Sequence, residues 1–179
     1  GGALDASLTL AAASSAEMGA AADVATDVMM NFGREAVDMA SVVDGVTGVL
    51  LTSKFGFDDY RLALGRGGGV AGAFGVELEE FNAVLAATAS TFTSGADAGT
   101  SFKVFLQRLT PASNAALEAM YNLNLNFFDA AGNMRDMVDV AEELKQGVAG
   151  LSEEARNQAL QDIFGTDAIR TAIALSREG

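Results

Sequence analysis

The chain of 179 residues contains no cysteine, no histidine and no tryptophan, and its only proline is Pro111. Without Cys or His there can be no thiol nucleophile, no disulfide, no imidazole general base and none of the usual zinc sites. The near-absence of proline leaves long stretches free to remain helical. Basic residues are scarce as well: 11 Lys and Arg stand against 24 Asp and Glu, for a net charge of −13. They are scattered singly from Arg34 to Arg177, whereas phosphate contacts need clustered cations, so direct nucleic-acid binding is excluded. The same acidity opposes docking on an anionic membrane surface. The longest uncharged run, Phe81 to Ala96, is too short to span a bilayer and carries Asn82 with several Ser and Thr. Gly1-Gly2-Ala3-Leu4-Asp5 lacks the basic start of a signal peptide, and the Gly-Gly beginning and Glu-Gly end suggest an excerpt of a longer chain.

What is abundant is small and aliphatic. Hydrophobic residues make up 50% of the chain, mostly Ala, Leu, Val and Met, which predicts a core of close-packed helices. Ser14-x-x-Glu17 reads as a capping box opening a helix with Met18, Ala21, Ala22, Ala25, Val28, Met29 and Phe32 on one face. Ala36 to Thr52 is apolar nearly all round and is expected to be the most buried helix. Asp58 is the next expected N-cap, and the helix through Tyr60 to Leu64 is expected to bend or break at Gly65-Arg66-Gly67-Gly68-Gly69. Helices follow over Leu78 to Phe92, around Phe102, Phe105, Leu106 and Leu109, and over Ser113 to Leu123. Leu125 to Phe128 with the turn signal Asp129 to Asn133 predicts one small hairpin or loop between residues 125 and 134. Helical faces return with Met137, Val140, Ala141, Leu144 and Val148, then with Ala155, Ala159, Leu160, Ile163 and Phe164 behind a Ser152 cap. Thr166 is expected to cap the last helix.

Phe-Gly recurs at 32–33, 55–56, 74–75 and 164–165, each time where a helix is expected to end. The expected device is a corner: the glycine turns left-handed and the ring pins the turn to the core. The expectation is therefore an all-α, compact multi-helix domain with Phe-Gly corners and at most one small β-hairpin near 125–134. It is taken as one domain, 1–179, the glycine run leaving room for a sub-boundary near 65–75.

Four features of the sequence bear on chemistry. Gly67-Gly68-Gly69-Val70-Ala71-Gly72 fits G-x-G-x-x-G, but that motif needs a strand before it, and Tyr60 to Leu64 reads as helix; a bend or close helix approach is the better reading. The pairs Asp58-Asp59, Glu79-Glu80, Glu142-Glu143 and Glu153-Glu154 could suggest paired carboxylates for glycoside cleavage. Adjacent helical residues point to different faces, so these are expected to face water and complement helix dipoles. Asp129, Asn133 and Asp136 lie near a glycine without the order of a calcium loop and are expected to form an Asx-stabilised turn. Met30 is expected to be an exposed contact, in contrast to Met18, Met29 and Met137 on apolar faces. No catalytic, cofactor-binding or metal-binding residue is assigned, and no cofactor is expected.

The order of several segments is similar to one known family. Asp97-Ala98-Gly99-Thr100-Ser101-Phe102, Phe105-Leu106-Gln107-Arg108-Leu109 with Pro111, Phe128 to Met134, Gly150-Leu151-Ser152, and Ile163-Phe164-Gly165-Thr166-Asp167-Ala168-Ile169-Arg170 closely resemble the core region of phage tail tape measure proteins. Leu8 to Ala13, Ala21 to Val24, Asn31-Phe32-Gly33 and Phe74 to Glu77 match more loosely, in the same order. Asn122 to Asn126 is shorter than in many relatives, and a plainer helix often stands where this chain has Gly65 to Gly72. The resemblance implies a structural, non-enzymatic protein of a phage or prophage virion that acts in tail assembly and tail-length determination. It implies tail tube proteins, tail tip or initiator proteins and tail assembly chaperones as partners, with self-association a further option. The implied location is the lumen of the tail tube, reached from the host cytoplasm during assembly. The alternative reading is a membrane- or cell-wall-active module used during genome ejection, and membrane contact enters only there.

Overall fold

Helix-forming sequence broken by glycine corners gives a succession of helices, described by a computed structural model over residues 2–14, 18–33 and 39–178. The helices are α1 (Gly2–Ser14), α2 (Met18–Phe32), α3 (Met39–Thr52), α4 (Phe57–Ala63), α5 (Gly69–Ala73), α6 (Leu78–Thr88), α7 (Gly95–Arg108), α8 (Asn114–Asn122), α9 (Met137–Val148) and α10 (Glu153–Glu178). A π-helical turn, Leu64–Gly68, joins α4 to α5, and a 3₁₀ turn, Ala89–Thr91, follows α6. There is no sheet among the described residues; the expected hairpin is reduced to one antiparallel bridge, Phe128 to Met134. The chain divides into two compact units, Gly1–Gly99 and Thr100–Gly179.

In the first unit α1 packs on α2 and α3, and α3 packs also on α4 and α6. Val42, Val43, Val46 and Val49 of α3 are buried, so the most apolar stretch does lie in the core. The start of that expected helix, residues 36–38, falls outside the described residues, as does Glu17 of the expected capping box. Phe32 meets Phe81 with ring centroids 5.3 Å apart. Helix α1 was not expected: Gly2–Ser14 is helical, where the first clear helix was expected to open at Ser14. Its Ala, Leu, Ser and Thr carry no cap signal, and only tertiary contact separates its buried Ser7 and Leu10 from its exposed Leu4 and Leu8.

In the second unit α10 packs on α9 and α8. Phe105 stacks on Phe164 at 4.9 Å and 14°, with Phe102 behind it, and all three rings are buried. Ser101 and Thr171, also buried, satisfy each other through a 2.8 Å hydroxyl hydrogen bond. Ser113 and Ser152 cap α8 and α10 through their hydroxyls, which accept from the Ala116 and Ala155 amides.

Three of the four Phe-Gly corners turn left-handed: Gly33 (φ 64°), Gly75 (φ 81°) and Gly165 (φ 66°). At Gly75 the Val76 amide reaches back 3.0 Å to the Ala71 carbonyl, the hydrogen bond of a Schellman ending. Gly56 departs from the expectation. Its φ is −83° and it is itself the N-cap of α4, displacing Asp58, which lies in the first turn. The rings also differ: Phe55 and Phe164 are buried, while Phe74 is 36% exposed. The helix persists through Gly65 to Gly72 by widening to the π turn, where a bend or break was expected.

Candidate interaction surface

The glycine run sits in helix, away from any strand, so a dinucleotide cradle has no scaffold there. Its role follows from what a side chain would strike. A Cβ on Gly67 would lie 2.8 Å from the Gly99 carbonyl oxygen, and one on Gly72 would lie 1.8 Å from that of Asn31. From the other side, a Cβ on Gly95 would lie 1.8 Å from the Asp59 oxygen and one on Gly99 2.4 Å from the Ala63 oxygen. Gly95 and Gly99 are one helical turn apart, as are Asp59, Ala63 and Gly67, so two backbones run against each other along small-residue ridges. The Asp59 carboxylate completes the seam by accepting the Gly95 amide at 2.8 Å.

The acidic pairs are structural in the same local way. Glu80 accepts the Glu77 amide at 2.9 Å at the start of α6, and Asp58 pairs with Arg61 at 3.6 Å. Glu142 accepts from Gln146, while Glu143 accepts the Asn126 amide at 2.9 Å and the Arg135 guanidinium at 2.8 Å. Glu143 thereby ties the 123–136 excursion to α9, and its hydrogen bond holds Arg135 still more firmly in the charged form. Glu153 and Glu154 occupy the first turn of α10.

Asp129 uses its carboxylate within its own turn, accepting the Ala131 amide at 2.8 Å, the Asn133 amide at 2.9 Å and the Asn133 side chain at 3.1 Å. The Asn133 side chain, and next its backbone, hold the Asp129 carboxyl below the usual carboxylate range. Among the described residues no cluster of three or more acidic side chains is arranged to hold a metal. Tyr60 is wholly buried and donates 2.8 Å to the Asn82 side-chain carbonyl; burial pushes its phenol well above the ordinary value. The Asn82 amide nitrogen faces Gly45 across α3 and α6, and a Cβ there would lie 2.7 Å away.

What the molecule offers to a partner is apolar surface. Met30 is 77% exposed, as expected from its offset to Met29. On α8 the sequence reading missed a second stripe: Ala116 and Met120 are buried, while Leu117 and Tyr121, one position on, stay 56% and 84% exposed. Two parallel apolar stripes were visible in the sequence, and a helix lying on a core buries only one of them. Leu117 and Tyr121 border a groove of about 480 Å³ whose other walls are Leu109, Pro111, Leu125 and Phe127. No described helix is long and apolar enough to cross a membrane.

The described residues thus form a succession of helices held by backbone seams and caps, with Met30, Leu117 and Tyr121 as exposed apolar surface. Residues 1–165 match the family of phage-related minor tail proteins, and the chain belongs to it. A tape measure protein of Pneumococcus phage Dp-1 is 29% identical over 172 residues, which is 96% of this chain and 15% of that relative. No solved structure matches the chain.

Proposed function

We propose that residues 1–179 form a folded module of a tape-measure-type tail protein, contributing contacts in phage tail assembly. The observation that carries the reading is the match across 96% of the chain to a tape measure protein that is several times longer. In this reading the module does no catalysis and holds no cofactor. Its partners are tail tube, tail tip or initiator proteins and tail assembly chaperones, met in the host cytoplasm and then in the lumen of the tube.

The module is distinct from the ruler itself. A single helix of this length would extend about 270 Å at 1.5 Å per residue, whereas a folded unit of about 100 residues has a radius of gyration of about 13 Å. A chain that turns back at Gly33, Gly75 and Gly165 uses its residues for surface and not for length. The test is electron microscopy of tails from two classes of mutant parent protein. Deletions in extended helical segments outside this module should shorten tails in proportion to the residues removed. Gly165→Val inside it should make tails scarce while those that form keep their normal length. Abundant but shortened tails from Gly165→Val would assign the segment to the ruler and overturn the proposal.

A further inference from the structure

A groove of about 510 Å³ runs between α2 and the α4–π turn, and its two walls carry opposite charge. Asp23 and Asp27, one helical turn apart, line the α2 wall; Arg61 and Arg66 line the other, with Leu62 and Gly65 between them. The π turn is what gives the second wall both of its guanidiniums. In an α-helix, residues five apart diverge by about 140°. The i→i+5 turn at Leu64–Gly68 inserts an extra residue and swings Arg66 back toward the side of Arg61. All four charged residues are exposed. Among the described residues no ion pair crosses the groove, and the one that these four make joins Arg61 to Asp58 of its own helix at 3.6 Å.

We infer that this groove is a docking site for an α-helix of another protein, one that carries a basic row and an acidic row side by side. Charge complementarity selects that chemistry. A purely acidic partner meets the Asp23–Asp27 wall and a chain of net charge −13, and a purely basic one leaves the Arg61–Arg66 wall unmatched. A simple ion satisfies one wall and leaves the other uncompensated. The occupant therefore presents both signs at once, at the one-turn spacing of Asp23 and Asp27. An α-helix does so, because residues four apart stand in rows on its surface and neighbouring rows share a face. An extended strand turns every second side chain away. Between the two rows an apolar side chain covers Leu62, which is 39% exposed. The inference rests on this geometry alone and goes beyond the tail-module reading, holding whether or not that reading does.

The experiment uses the complete chain and three labelled, alanine-based helical peptides of equal length, with binding read by fluorescence anisotropy. One peptide carries a lysine row beside a glutamate row, the second has lysine in both rows and the third glutamate in both. The wild-type chain should bind the mixed peptide at least ten-fold more tightly than either single-sign peptide. Asp23→Lys with Asp27→Lys makes both walls basic and should transfer the preference to the glutamate peptide. Arg61→Glu with Arg66→Glu makes both walls acidic and should transfer it to the lysine peptide. Asp5→Lys with Asp44→Lys makes the same change in net charge away from the groove and should leave the wild-type preference in place. The milder Asp27→Asn and Arg66→Gln, which keep side-chain size and the helical circular dichroism signal, should each weaken the mixed peptide several-fold. A wild-type chain that ignores the mixed peptide or binds all three alike would overturn the inference. So would groove variants that keep the wild-type preference, or a control variant that shifts it. A charge-dependent dimer in sedimentation velocity that shuts the mixed peptide out would give the groove to a second copy and overturn it as well.

Discussion

Alanine at Gly72 and alanine at Gly65 should move stability in opposite directions, although both replace a glycine in the same continuous helix. Alanine is the better helix former by about 1 kcal/mol at an interior position. At Gly65 nothing lies within 4 Å of the added methyl, so that preference is expressed in full and the variant should gain about 0.5–1 kcal/mol. At Gly72 the methyl arrives 1.8 Å from the Asn31 carbonyl oxygen, and α5 must retreat by roughly 2 Å from α2 to reach ordinary contact. The obstacle is backbone, which has no rotamer to yield. Overpacking of this kind costs 3 kcal/mol or more, so after the gain in propensity the net loss should be about 2–4 kcal/mol. Gly95→Ala, aimed at the Asp59 carbonyl oxygen at the same 1.8 Å, should behave like Gly72→Ala. Urea unfolding followed by far-ultraviolet circular dichroism measures all three. A Gly72→Ala protein as stable as Gly65→Ala would refute the close backbone approach of α5 to α2.

At Gly165 the backbone is φ 66°, ψ −177°, a region essentially reserved for glycine, so Gly165→Val should lose at least 2 kcal/mol in the same urea experiment. Phe164→Ala should lose about 3–5 kcal/mol, because its ring is fully buried against Phe105. Tyr60 gives a signal at high pH. Its folded-state pKa lies above the unfolded value, so its contribution is complete below about pH 10 and is lost as pH rises beyond that. Ultraviolet absorbance should show the Tyr60 phenolate appearing only together with loss of helix, and its earlier appearance in folded protein would show that the phenol is accessible.

How far the fold was legible depended on whether local signals and tertiary contacts agreed. Ser113 and Ser152 announced their helices because a hydroxyl cap is a local device that works regardless of surroundings. The Phe-Gly corner at 164–165 was legible for the same reason, since a left-handed glycine following a buried aromatic needs little beyond its neighbours. The same two letters at 55–56 meant something else, because a glycine can open a helix in extended conformation as readily as it can close one. The run from Gly65 to Gly72 was read as a break because propensity alone predicts one. Its helix is held by backbone contacts with Asn31 and Gly99, distant in sequence, that no local pattern reports.

The break at Gly165 has a consequence for how copies of this chain could become entangled. On its two sides Leu160, Phe164, Ala168, Ala172 and Leu175 are buried, and their spacing of three and four residues continues across the glycine without a slip in phase. Straightened, the 26 residues of Glu153–Glu178 would make a rod of about 39 Å carrying one uninterrupted apolar stripe. Such a rod could no longer fold its second half back onto its own neighbours, and the half left projecting would fit the vacated place in another molecule. One residue's backbone conformation thus stands between a self-contained fold and reciprocal exchange of the C-terminal half. A substitution at 165 that tolerates helix but refuses the corner, such as Gly165→Ala, is where that exchange would begin.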